Sequence, residues 1–139
     1  MGKVFADITV ANGGDEELAS RGLLEPADIR SIHLDNVLVD TGATLLSLPA
    51  GLIERLGLRL KDEVRVQTAT GEAGARRFRN ALLTVEGRTS TFDCLELPGG
   101  TSPLLGVVPL EALGLEPDLQ AERLRLLPET TADTHLTIL

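Results

Sequence analysis

Asp40 carries the side chain best placed to do chemistry in this sequence: it follows the aliphatic run Val37-Leu38-Val39 and precedes Thr41, Gly42, Ala43 and Thr44. A carboxylate delivered by an apolar strand into a turn of small residues lies at the edge of a core, where it can activate a water molecule for attack on a peptide bond. That reaction needs two carboxylates within hydrogen-bond reach of one water, one ionised as base and the other protonated as acid. Two carboxylates that close cannot both ionise cheaply, so the pair shares a single proton. One chain offers one such aspartate. A two-fold homodimer would supply the second by setting Asp40 against its own copy across the axis.

About sixty residues downstream lies a second apolar-apolar-glycine turn, Leu104-Leu105-Gly106, which runs through Val107-Val108-Pro109-Leu110 toward Leu113-Gly114-Leu115. The first turn continues in the same way, from Asp40-Thr41-Gly42 to Pro49 and on to Leu56-Gly57-Leu58. Each stretch predicts a short helix that starts at a proline and ends at a left-handed glycine, and together they read as a faint internal duplication.

This order of motifs resembles the retropepsin-like aspartic proteases, in which one Asp-Thr/Ser-Gly turn precedes a flap hairpin and an apolar-apolar-Gly turn that opens a helix. The resemblance runs from about Val37 to Leu115, and the N-terminal strand and Leu-rich ending look like bacterial single-domain members of that group. It implies an all-β acid-protease fold: a partly open barrel with a flap hairpin and one or two short helices, active as a homodimer. By the same resemblance, Asp40 is the catalytic carboxylate, and the Thr41 hydroxyl bonds across the dimer to hold the two turns in register. Gly42 presents its carbonyl to the substrate main chain, and Ala43 keeps the cleft floor small. Thr70, Gly71 and Gly74 form the mobile flap tip over an extended peptide, and Leu105 and Gly106 line the substrate site. The sequence departs from the viral pattern at Thr44 and Val107, where an acidic residue and an arginine commonly pair. Both partners are missing together, so no charge is left unpaired, but dimer stability must come from elsewhere. The alternating end Thr134–Leu139, with Met1–Ala6 beside it, is the expected dimer sheet.

The elements that would position these groups are mostly strands. Val4, Ala6, Ile8 and Val10 alternate with polar neighbours, and Asn12-Gly13-Gly14-Asp15 reads as the turn that ends the strand. The segment Asp15–Asp28 carries no clear period and suggests a loop with a short helix. Ile29–Leu34 and Val37–Val39 read as two strands separated by a turn at Asp35-Asn36. A meander follows: Asp62–Thr68, a glycine-bearing tip over Thr70–Gly74, Ala75–Val85, a tight turn at Glu86-Gly87-Arg88, and Thr89–Leu97. Cys94 falls on the last strand as a small buried hydrophobe. Arg76, Arg77 and Arg79 read as a solvated strand face. With three Phe as the whole aromatic complement, specificity pockets would be aliphatic, from residues such as Leu38, Val66, Val108 and Leu110.

With 139 residues the chain suits one domain, 1–139, and is too short for a two-lobed enzyme carrying two Asp turns. A net charge of −8 argues against nucleic acid as partner, since phosphate binding needs clustered excess Lys and Arg. No long apolar run or basic-apolar leader is visible, so no membrane partner and a cytoplasmic location are expected. His33 and His135 stand apart from other ligand types, so no metal and no cofactor is expected. Neither a phosphate loop nor a nucleophile elbow is present. Two functions of different class remain: an aspartic endopeptidase, and a catalytically silent dimer of the same fold that binds a peptide or protein. The intact Asp40-Thr41-Gly42 favours the first.

Overall fold

The computed structural model describes residues 2–98, 100–128 and 138. Strand β1 (Val4–Asn12) buries every second residue, as its alternation requires, and pairs antiparallel with β2 (Ser31–Val39) on one side and β5 (Gly71–Val85) on the other. Strand β2 is continuous, where the sequence suggested two strands and a turn. Asn36 absorbs the irregularity with a left-handed φ of 55°, its N–H donates to Asp7 Oδ1 at 3.0 Å, and the register slips between Ala6 and Ile8. An asparagine tolerates that conformation, so the chain bulges and the pairing resumes.

The expected turn at Asn12–Asp15 is instead a helix start. Asn12 caps α1 (Gly13–Ser20), its Oδ1 accepting from Asp15 N at 3.0 Å. The glycines there serve packing: a Cβ on Gly13 would fall 2.1 Å from Asn80 Oδ1. After α1 comes a single 3-10 turn, Pro26–Asp28, which resolves the segment that had no period.

Strand β3 (Leu46–Pro49) leads into α2 (Ala50–Leu56), and β4 (Arg59–Thr68), β5 and β6 (Arg88–Leu97) form the expected meander. Glu86 and Gly87 turn β5 into β6 with φ of 52° and 76°, the hand that suits a two-residue hairpin loop. The two-residue β7 (Leu104–Leu105) lies between β2, parallel to it, and β3, antiparallel to it. Helix α3 (Val107–Leu113) and the hairpin β8 (Leu115–Asp118) and β9 (Arg123–Leu126) follow. Among the described residues, β1 to β7 make one seven-stranded sheet that curls back on itself through the β1–β5 pairing, giving the expected all-β, partly barrel-like architecture. No helix among the described residues is long and apolar enough to cross a membrane.

Inside the curl, Ile8, Leu46, Leu48, Leu56, Leu83 and Leu105 are fully buried, each stabilising by roughly 1.5–3 kcal/mol relative to exposure. Cys94 joins them as expected, and burial pushes its thiol up to about 12. Helices α2 and α3 are both seven residues long and end at glycines of φ 63° and 68°. The duplication is thus real at the helix ends, although Pro49 stands one residue outside α2 while Pro109 lies within the first turn of α3. Val4–Ala6 pair with Val37–Val39 within the chain. Apart from Ile138, the strand expected over Thr134–Leu139 lies outside the described residues.

Candidate active site

Strand β2 ends against β7, with Val39 opposite Leu105, and the ladder runs one residue further because Asp40 N donates to Leu105 O at 3.0 Å. The chain then folds back at once. Ala43 N donates to Asp40 O at 3.0 Å, and Gly42 N donates to Asp40 Oδ1 at 2.9 Å. The carboxylate is therefore aimed by its own loop, while Oδ2 has no protein partner among the described residues. The strand beneath is buried through Val37 and Val39, but Asp40 itself is half-buried and Thr41 and Gly42 are exposed. A Cβ on Gly42 would come 3.1 Å from Asp40 Oδ1, so glycine gives the carboxylate its room.

The far side of the loop is held by the second motif. Val107 N donates to Ala43 O and Val108 N to Thr44 O, each at 2.9 Å. Each position where the viral pattern places a charge, Thr44 and Val107, makes one of these bonds to the other's neighbour, so in this chain the link between the Asp40 loop and the start of α3 is made by main chain. Gly106, with an unexceptional φ of −92°, is required by proximity: its Cβ would lie 2.6 Å from Leu45 O and 2.7 Å from both Ala43 O and Thr44 C. Leu105 is wholly buried and Gly106 is enclosed by loop carbonyls. Both thus pack against the Asp40 loop from within the chain. Leu110, read as a pocket residue, belongs to the core, whereas Val108 is 41 % exposed beside the loop.

The hairpin of β4 and β5 has a tighter tip than the sequence suggested. Ala69 and Thr70 make the turn, Thr68 pairs with Gly71, and Gly74 sits in the ladder opposite Arg65. Gly71 takes a φ of 122°, which favours glycine. Thr68 Oγ1 donates to Gly71 O at 2.7 Å and accepts from Thr70 N at 3.3 Å, so the bonds at the tip are local. The base of the hairpin is braced: Arg77 grips both oxygens of Asp62, Arg76 both oxygens of Glu96, and Lys61 reaches Asp93. The Arg77 guanidinium holds the Asp62 carboxyl below the usual carboxylate range.

The structure thus joins Asp40, Thr41, Gly42 and Ala43 to Leu105 and Gly106 in one unit, and places Thr70, Gly71 and Gly74 on a separate projecting ribbon. Sequence reasoning missed Val107 and Val108 as supports, because their contribution is a backbone N–H that any residue but proline supplies. It also missed the use of Asp15. This carboxylate accepts from Arg30 N, Nε and Nη2 at 3.0, 2.8 and 2.9 Å, and Arg30 keeps it below the ordinary range. The Asn-x-x-Asp spacing of a helix start was the available signal. In comparison with known proteins, residues 19–108 match the family described as aspartyl protease. No curated protein matches the chain.

Proposed function

Because the chain belongs to the retropepsin-like aspartyl protease family, we propose that it is an endopeptidase whose catalytic centre is a pair of Asp40 residues in a homodimer. The observation that carries the reading is the aim of Asp40: one carboxylate oxygen is held by Gly42 N and the other has no protein partner among the described residues, at a loop locked by Gly106. Across a two-fold axis, the two carboxylates would hold one water and one proton between them. The ionised member takes a proton from the attacking water while the protonated member gives its own to the carbonyl oxygen; the first then passes the water proton to the leaving amine as the C–N bond breaks, and the second recovers its proton from the hydroxyl that becomes the new carbonyl. No covalent acyl-enzyme forms.

Thr41, exposed at the loop apex, would bond across the axis and set the distance between the loops. Gly42 and Ala43 would meet the substrate main chain. The β4–β5 hairpin would close over an extended peptide, with Thr70 and Gly71 at its tip and Gly74 in its shaft. Val108 gives an aliphatic wall. This reading places the enzyme in the cytoplasm, working without cofactor on peptides or proteins.

The test is cleavage of a diverse peptide library between about pH 4 and 7, at concentrations that populate a dimer by sedimentation, beside an Asp40→Asn control. Wild-type cuts that vanish in Asp40→Asn establish the enzyme and its subsite preferences. A confirmed wild-type dimer that makes no cuts overturns the reading in favour of a silent binding module.

A further inference from the structure

Three arginines on β5 look alike in sequence and differ in the fold. Arg76 and Arg77 are each committed to a carboxylate, Glu96 and Asp62. Arg79 instead stands directly opposite Arg59 on β4. Both are exposed, and neither has a side-chain hydrogen bond or ion pair among the described residues. Arg79 acts on Asp62 from a distance, but Asp62 already gives both oxygens to Arg77. Like charges directly opposite on a ladder destabilise it, so this pair is an unmet demand for an anion.

The pair forms one wall of a cleft of about 410 Å³ between α1, the end of α2 and the β4–β5 ladder. Arg30 lines the same cleft. It commits Nε and Nη2 to Asp15, while its Nη1 lies over Gly57, where a Cβ would leave no space. Counting Asp15 against Arg30, the wall keeps the charge of Arg59 and Arg79 in a chain whose net charge is −8. Beside these cations the lining combines the amides of Asn12 and Asn80 with an apolar part, Leu58 and Leu18, the latter at 43 % exposure.

From this we infer that the cleft is an exosite for an acidic segment of a polypeptide, its carboxylates forked by Arg59 and Arg79 and a neighbouring aliphatic side chain set on Leu18. The chemistry recognised is an oxyanion, and guanidinium forks suit carboxylate and phosphate alike. The apolar lining decides between them, since a free phosphate would leave Leu18 uncovered. The site is separate from the catalytic loop: Arg30 precedes β2 and Asp40 follows it, and a strand of that length spans on the order of 25 Å. The inference stands without the catalytic reading.

The experiment is fluorescence anisotropy with a fluorescein-labelled peptide of alternating Glu and Leu, at low salt and pH 7, titrated with the wild-type 139-residue chain. The same peptide with Gln for Glu is the control. Saturable binding is expected for the Glu peptide alone, weakened about tenfold or more in the double variant Arg59→Gln/Arg79→Gln and unchanged in Arg21→Gln and Asp40→Asn. The double variant should also melt at or above the wild-type temperature, because it loses a like-charge pair and no described hydrogen bond. Equal binding by the double variant, equal binding of the Gln peptide, or no saturable binding overturns the inference. Displacement by millimolar inorganic phosphate as readily as by unlabelled peptide assigns the site to a free anion and overturns it equally.

Discussion

Replacing Gly106 by alanine should damage both stability and site, and the structure sets the size of the effect. The new Cβ would sit 2.6–2.7 Å from three backbone atoms of the Asp40 loop, about 0.7–0.8 Å short of ordinary contact. Backbone cannot step aside as a flexible side chain can. The bonds from Val107 N to Ala43 O and from Val108 N to Thr44 O hold the loop at 2.9 Å, and a displacement of that size stretches both past hydrogen-bond length. Two lost bonds cost about 1 kcal/mol each, and overpacking adds about 1–3 kcal/mol, giving a loss of about 3–5 kcal/mol. For a chain this size that lowers Tm by about 10 °C or more. Urea unfolding followed by circular dichroism at fixed protein concentration reads it directly. Gly51→Ala is the matched control: nothing lies within 4 Å of its Cβ, it sits in α2, and alanine there should stabilise by about 0.5–1 kcal/mol. A Gly106→Ala midpoint within about 0.5 kcal/mol of wild type would show that the loop yields freely, and the account of the clamp would be wrong.

The remaining expectations concern the scaffold. Asp15→Asn should cost about 2 kcal/mol at pH 7, because the carboxylate accepts three bonds from Arg30. The Arg30 guanidinium depresses its folded pKa below the ordinary carboxylate value, so its contribution is present above that ordinary value and lost as pH falls through the folded pKa. Wild-type stability should therefore drop below about pH 4 more steeply than that of Asp15→Asn, as acid titration of unfolding would show. Some slope remains in the variant, since Asp62 shifts in the same direction. Arg88 donates to the carbonyls of Leu113, Gly114 and Leu127, so Arg88→Ala should cost about 1–3 kcal/mol and speed amide exchange in the β8–β9 hairpin before the main sheet. Cys94, buried with its thiol pushed up to about 12, should react with a thiol reagent at pH 8 only at the rate of unfolding; immediate labelling of the folded protein would contradict its burial.

What the sequence disclosed follows from which forces are local. The aliphatic lead-in to Asp40, the alternation of β1 and the left-handed glycines at 57 and 114 are decided by neighbours along the chain, and all were legible. Asn12-Gly13-Gly14 misled because asparagine and glycine serve turns and helix starts equally; the deciding contact, Asn80 against Gly13, comes from a distant strand. Gly74 misled for a related reason: Thr68 paired with Gly71 had already closed the hairpin. The placement of β7 between β2 and β3 was not legible, since two residues carry no period. Arg59 and Arg79 gained their meaning only when the register set them face to face.

The insertion of β7 also bears on when the site can exist. The carbonyls of Ala43 and Thr44 receive their donors from Val107 and Val108, and Asp40 N finds its acceptor on Leu105. All three partners arrive about sixty residues later in the chain. A ribosome-bound nascent chain that has emerged only as far as the β4–β5 hairpin lacks these partners: the loop can still make its internal bonds, Gly42 N to Asp40 Oδ1 and Ala43 N to Asp40 O, but nothing yet fixes it to the sheet. The loop closure that completes the sheet is also the step that assembles the site.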